Sequence, residues 1–534
     1  MSDALDVANL PWVVRVRSWG ERTWDRIDAM LLRLQGRVDT PGWDRGLPYA
    51  FAMLLGAVLI TITLARHHSL LHGEETAKFA QATWQIAEGL RPVTTLSGGH
   101  VVAEQGSLIL YPLGLLTAIL PRTETLLVLK ALALAITVIP LWRLARGHAR
   151  LGIGVSSVVV VAYSLYTAVH AMNAADFAPA VLAVPALMWA VLFGFQEQTR
   201  LMVAVIVFSL CCRADLGIAI AGLGILLLLE RRRRLGQIAL LLGFGWFLVS
   251  MYGLQPWLND GSYEFLEPYF AFGETPLRAL WGIISHPVQF LDLVTSLANF
   301  QLLVSLFAPV LFLPLTAPRY VLPAMPLYVL YLGADVEAGR ITEAAQTVPI
   351  TVFVFVATVF ALERAGTTLV KRVRVERRII LALLLTALVF FIRDSPTSPY
   401  TEPWQWGERD AFDDDRLAAV DELTGLNVPV RASSSLLPLM SERLGVYALD
   451  TSGLATAERD LEQIVVDAAD DVDWILLDRE VESLSGEDAA TFRAQLRLRG
   501  WTRVERPDET NIEVYRFTGI IAPEDIPVID PDDG

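Results

Sequence analysis

The chain reads as a mainly α-helical bundle that crosses a membrane many times and ends in a small extracytoplasmic α/β domain. Three observations predict this class. The 534 residues are 54% hydrophobic with a mean hydropathy of +0.45, above the average soluble chain. Apolar runs recur through the first 393 residues, and about 20 apolar residues cross the hydrocarbon of a bilayer. Charge is segregated: residues 394–534 carry 32 acidic and 12 basic side chains, so an acidic soluble part follows a basic-leaning apolar one. No basic patch of the kind that nucleic acid requires is present, which excludes that class of partner. Cys211 and Cys212 are adjacent inside an apolar run and make no disulfide framework.

Taken in order, residues 1–47 hold seven arginines and seven acids, which is no signal peptide. Residues 11–36 predict an amphipathic cytoplasmic helix, with Val16, Trp19, Ile27, Leu31 and Leu34 on one side and Arg15, Arg22, Arg26 and Arg33 around it. Residues 48–66 are a first span, and the arginines before them place the N-terminus inside. Residues 67–123 are then a large outer loop. Within it, 107–120 is short and closed by Pro121, so it reads as a re-entrant or surface helix. Spans follow at 124–142, 151–170, 178–195, 201–212, 216–229, 236–254, 289–308, 320–333, 347–363 and 379–392, with a polar outer loop at 255–285. The expectation is about eleven spans, with every basic cluster inside and the C-terminus outside. Residues 309–323 hold four prolines that break helical continuity.

Residues 394–406 are a proline-rich linker. From 407 to 520, short strands at 428–433, 446–449 and 474–479 alternate with helices at 412–424, 435–444, 457–469 and 486–498, and a hairpin closes the run. This predicts a small α/β domain with a mainly parallel sheet. It holds no glycine-rich phosphate loop and no catalytic triad. Residues 521–534 are an acidic tail.

Candidate chemistry gathers outside. Residues 67–106 hold His67, His68, His72 and His100 with Glu74, Glu75, Glu88 and Glu104. His170 and His286 also fall outside, and only His148 falls inside. Ionisable groups at a membrane border are costly unless they face a cavity. That singles out Glu75, Asp176 and Asp215, although Asp176 and Asp215 also stand where a helix N-cap belongs. Glu75, Asp176 and His100 are the candidate catalytic set, since paired carboxylates with a histidine deprotonate a hydroxyl or hold a divalent metal ion. Arg213 suits a bidentate grip on phosphate. His72, Gln81, Trp84, Glu104 and Asp215 complete the candidate substrate-binding set.

The stretch HHSLLHGEETAKFAQATWQIAEG, followed by GGH and YPLGLL, resembles the opening of the bacterial membrane proteins called domain of unknown function 2079. ADFAPAVLAVPAL is similar to that family's second signature, and CRADLGIAIAGLGILLL to its third. LMSERLGVYAL and VDWILLDRE resemble its C-terminal part, so the resemblance spans roughly residues 60 to 480. It implies the layout of the GT-C glycosyltransferases, which use polyprenyl-phosphate sugars. By that resemblance Glu75 falls where an acid of the first outer loop is the catalytic base, Asp176 where a second acid follows, and His100 on a family histidine. Three positions depart from the family: Glu75 stands for aspartate, Ala178 for histidine, and Ala214-Asp215 for Glu-Asp. The implied function is sugar transfer from a polyprenyl-phosphate donor to an envelope glycan, lipid or protein on the outer face of the cytoplasmic membrane. The departures favour a second reading, a non-catalytic scaffold of the same fold in envelope assembly. A transporter would show inverted repeats and mid-membrane charges, and neither is present.

Overall fold

The computed structural model describes residues 40–259, 269–333, 344–369, 372–401, 407–409, 411–449, 465, 467–482, 486–504 and 511–519. The expected helix over 11–36, the tail over 521–534 and most of the expected helix over 457–469 lie outside the described residues.

Helix α1 (Pro41–His68) opens the bundle. Proline fits its first turn, where the missing N–H has no helical partner anyway. Leu55, Leu59 and Ile62 are buried while Met53, Leu54 and Val58 are exposed. A helix apolar on both sides has a protein face and a lipid face. The outer-loop region then folds as helix α2 (Glu74–Ala87), an antiparallel pair β1 (Val93–Thr94) and β2 (Gly99–His100), and the short helix α3 (Leu110–Thr117). At eight residues α3 is no span, as Pro121 suggests.

The bundle continues with α4 (Arg122–Ile136), α5 (Ile153–Ser164), α6 (Thr167–Ala174), α7 (Ala183–Phe195), α8 (Thr199–Cys212), α9 (Leu216–Leu229) and α10 (Arg233–Val249). It closes with α11 (Pro276–Ser285), α12 (Pro287–Val294), α13 (Leu297–Phe307), α14 (Met325–Leu332), α15 (Val348–Ala365) and α16 (Arg377–Asp394). Among the described residues five helical stretches are long and apolar enough to cross a membrane, or six if the pair α12 and α13, bent by 53°, is one span. Helices α7, α8 and α9 are apolar but shorter.

Several expected spans are therefore irregular. The prolines of 309–323 produce three short 3-10 turns, with Leu311 and Phe312 in the left-handed region. The expected span 320–333 is reduced to the eight residues of α14. The span at 151–170 is interrupted between Ser164 and Thr167 and runs on to Ala174. The loop 255–285, read as polar, contains α11.

Helices α9 and α10 pack at backbone distance. A Cβ on Gly217 would lie 2.4 Å from the Gly243 carbonyl oxygen, and one on Gly224 would lie 2.7 Å from that of Gly236. Small residues permit this approach between apolar helices. At one end of the bundle β3 (Thr367–Leu369) and β4 (Arg372–Arg374) pair antiparallel, Val373 N–H donates to Arg150 O at 3.0 Å, and Leu151 pairs with Val373. Two of the basic loops therefore meet there.

The C-terminal part holds helices α17 (Ala411–Asp421) and α18 (Gly486–Leu498). Its strands are β5 (Val430–Ala432), β6 (Val446–Ala448), β7 (Trp474–Asp478), β8 (Trp501–Arg503) and β9 (Ile512–Phe517), in the spatial order β6-β5-β7-β9-β8. The sheet is mixed rather than mainly parallel: β5 runs parallel to β6 and β7, whereas β9 is antiparallel to β7 and β8. The hairpin β8–β9 supplies the antiparallel half, since a short connection reverses the chain. The expected helix at 435–444 is a 3-10 stretch, Ser434–Met440. Alternation along β7 splits the core. Leu476 faces Leu70 and Ala77 of the outer-loop region, while Ile475 and Leu477 face Phe492 and Leu496 of α18.

Candidate active site

The first turn of α2 organises the site. Asp176 lies between α6 and α7, yet its carboxylate sits at the start of α2. Its Oδ1 accepts from Gly73 N–H at 2.8 Å and from the Thr76 hydroxyl at 3.0 Å, and that hydroxyl accepts from Phe177 N–H at 3.0 Å. Gly73 is the N-cap residue of α2, so a carboxylate from about a hundred positions away satisfies its unpaired donors and meets the positive helix end. Asp176 is thus a cap, but not of the helix that follows it. His72 Nδ1 approaches the same oxygen at 3.4 Å. Burial works to raise the Asp176 pKa, but these contacts outweigh it and hold the carboxyl below its usual range. Burial, only partly offset by Asp176, holds His72 below the usual histidine range.

Glu75 lies between the two positions that Asp176 grips, so both carboxylates belong to one turn of α2. Lys78 Nζ donates to Glu75 Oε1 at 2.6 Å and to Glu104 Oε1 at 3.0 Å. Burial opposes the charge on Lys78, but its two acid partners prevail and raise its pKa above the usual lysine range. Glu75 keeps 41% of its side chain exposed, while Lys78 keeps 6%. The pair therefore presents an ionised carboxylate to solvent, with its counter-ion beneath. Glu104 Oε2 is buried without a hydrogen-bond partner.

Lys130 enters from α4. It is fully buried, donates to the carbonyl of Ala175, and lies within electrostatic reach of Asp176 and Arg66. The candidate sets omit it. Its signal was rarity: the chain has three lysines, and a lone cation inside an apolar run marks a site by default. Two of those three, Lys78 and Lys130, converge here.

The C-terminal domain roofs the site. Gln81 Nε2 donates to the carbonyls of Arg443 at 3.0 Å and Leu444 at 3.1 Å. Val446 N–H on the sheet edge donates to the Thr95 hydroxyl at 2.9 Å, and Arg122 pairs with Glu442. Gln81 thus spends its amide donor on the roof. Trp84, on the same helix, is half-buried.

His100 sits on β2 with its N–H donating to Asn259 Oδ1 at 3.2 Å, and its Nδ1 is buried without a hydrogen-bond partner. Burial lowers its pKa. Among the described residues no group of three or more His, Cys, Asp or Glu side chains is arranged to hold a metal ion. Glu75, Asp176 and His100 do not form a metal site here, because Lys78 takes Glu75 and the start of α2 takes Asp176. His170 is bound on both ring nitrogens, by Ser164 O at 2.7 Å and the Thr397 hydroxyl at 2.6 Å. It ties the described part of the linker to the bundle.

Arg213 and Asp215 form a second polar group. Arg213 Nε donates to Asp215 Oδ1 at 2.7 Å, and the Tyr331 hydroxyl contacts both residues. Asp215 does not cap α9 with its side chain. The group adjoins the outer-loop region, since Ala214 N–H donates to Gln105 O at 2.9 Å and Ser107 Oγ to Cys212 O at 2.9 Å. Gly106, with φ at 68°, makes this seam possible, because a Cβ there would lie 2.6 Å from Ala214 Cβ.

Three comparisons bear on this arrangement. The profile of the family described as "Predicted membrane protein (DUF2079)" matches residues 66–518. No curated protein matches the sequence. Among solved structures the fold is similar to ArnT from Cupriavidus metallidurans. The crystal structure bound to undecaprenyl phosphate has a TM-score of 0.54 at 13% identity, covering 89% of this chain and 98% of ArnT. The apo structure has a TM-score of 0.50 at 12% identity, covering 90% and 98%.

Proposed function

The chain belongs to the DUF2079 family of predicted membrane proteins, and we propose that it transfers a sugar from a polyprenyl-phosphate donor to a cell-envelope acceptor. The observation that carries this reading is the junction of Glu75 and Asp176 on one turn of α2, roofed by the C-terminal domain, in a fold like that of ArnT. A structure of that protein holds undecaprenyl phosphate. The meeting of the Arg150 loop with the strand at 372–374 supports an inner end for the basic loops. The candidate site and the C-terminal domain then face outward.

In this mechanism Glu75, ionised and partly exposed, accepts the proton of the acceptor hydroxyl. The acceptor oxygen attacks the anomeric carbon as the bond from that carbon to the phosphate oxygen breaks, inverting the centre and releasing polyprenyl phosphate. Asp176, locked by Gly73 and Thr76, fixes the first turn of α2 and with it the Glu75 side chain. His72, buried against Asp176, supports that carboxylate, and His100 orients the acceptor. Arg213 meets the lipid phosphate by exchanging part of its contact with Asp215 and Tyr331 for the phosphate oxygens.

The scaffold reading is favoured by one observation: Lys78 closes on Glu75 and Glu104, so the candidate base already holds a cation. Binding separates the two. Purified protein in nanodiscs, offered a panel of polyprenyl-phosphate sugars and read by native mass spectrometry, is expected to retain at least one donor. Arg213→Met is expected to weaken that donor about tenfold or more, the loss of a charge-assisted contact. A panel without any bound donor, from protein that elutes as a single species, would leave the scaffold.

A further inference from the structure

We propose that the hairpin α11–α12 lies flat in the membrane interface, on the side of the molecule that carries the candidate site. Its helices, ten and eight residues long, are each too short to cross a bilayer alone, which takes about 20, and a 53° bend turns α12 away from the direction of α13. On α11, Leu277, Leu280, Trp281 and Ile284 follow the spacing of one helix face, and all four are exposed, Leu277 by 68% and Trp281 by 70%. The opposite face, Pro276, Ala279 and Gly282, is buried. A soluble surface helix shows the reverse pattern. On α12 Val288 and Leu291 continue the exposed apolar strip.

The polar groups gather at the elbow, beside Val288 of the strip. The elbow opens a cavity of about 710 Å³ whose lining includes Ser285, His286, Gln289 and Asp292. An apolar stripe with a tryptophan, backed by polar groups, is the pattern of a helix at the boundary of headgroups and acyl chains. The occupant of this face is lipid, because the strip is continuous with exposed Leu297 and Phe300 on α13, the arm of the candidate bent span. Trp257, in the helical turn after α10, is likewise 79% exposed. Asn259, two residues on, is bonded to His100 N–H, which puts Trp257 at the end of the molecule with residues 67–106.

The hairpin is fastened to the Arg213 group. Phe290 fills the space a side chain would take at Gly333. Asn299 Nδ2 bridges Leu293 O at 2.8 Å and Leu332 O at 2.7 Å. Tyr331 lies beside that bridge. The depth of the hairpin therefore sets the depth of the Arg213–Tyr331 group, which suits a group meeting lipid phosphate. The placement of the hairpin itself holds whether or not the chain transfers a sugar.

The test uses the full chain with Cys211→Ser and Cys212→Ser, and single cysteines at Leu277→Cys, Trp281→Cys or Ile284→Cys. Each is labelled with an environment-sensitive fluorophore and reconstituted in phosphatidylethanolamine–phosphatidylglycerol vesicles. Asp292→Cys reports the polar side. Stripe probes are expected to shift to the blue and to be quenched more by a nitroxide near the headgroup than by one near the chain end. The Asp292 probe is expected to respond to aqueous iodide. Stripe probes quenched by iodide alone, quenched most by the deep nitroxide, or shielded from all quenchers by a second copy would each overturn the proposal. Three positions on one face keep the test decisive if one variant fails to fold.

Discussion

At the scale of residues, the candidate site depends on which charges neutralise each other. Lys78 separates two acids, and Lys78→Met removes the cation that both Glu75 and Glu104 contact. The expected cost is about 1–3 kcal/mol, read as a lower thermal midpoint of the protein in detergent. A midpoint unchanged from wild type would mean that solvent already screens the pair. His72 gives a pH signature. Its folded pKa is depressed by burial, so the unfolded chain binds the proton more readily. The stability from neutral His72 is present above the unfolded value, about 6.5, and is lost as pH falls through it. The midpoint should fall between about pH 7.5 and 5.5, and His72→Asn should flatten that fall. An equal fall in the variant would assign the effect to other histidines. Glu75, Asp176 and His72 were legible in the sequence because ionisable groups stood at the ends of apolar runs. The partners of Asp176 were not, since a carboxylate can cap a helix that lies far off in the chain. Lys130 was legible through its rarity alone.

At the scale of elements the decisive features are close approaches and breaks. The α9–α10 contact depends on Gly217, Gly224, Gly236 and Gly243. Gly217→Val would drive its side chain into the Gly243 backbone and is expected to lower the yield of monodisperse protein. Gly245→Val, where a Cβ meets nothing within 4 Å, is expected to leave it unchanged. Similar losses in both would remove the packing argument. The signal was present, since seven positions separate each pair of glycines within a helix, but hydropathy alone does not show which face they share. The helical breaks were half legible. The four prolines of 309–323 announced irregular backbone, yet not three 3-10 turns. The apolar face of α11 was hidden because a ten-residue stripe between polar neighbours raises no window average enough to mark a membrane segment.

At the scale of the whole molecule, the membrane bundle and the acidic α/β part were readable from charge and hydropathy. The way they meet was not, because Gln81, Thr95 and Leu70 carry no sequence mark of their distant partners. That junction makes a roof over the first turn of α2, and the central claim is that a sugar is transferred beneath it. The most direct measurement gives the protein, in lipid, the donor that it binds and follows release of free polyprenyl phosphate, in wild type and in Glu75→Gln and Asp176→Asn. The account predicts that both variants still bind donor. Release should fall by at least about a hundredfold in Glu75→Gln, the scale of a lost general base, and clearly in Asp176→Asn. Release at the wild-type rate in Glu75→Gln, or no release from wild type with donor bound, would contradict it.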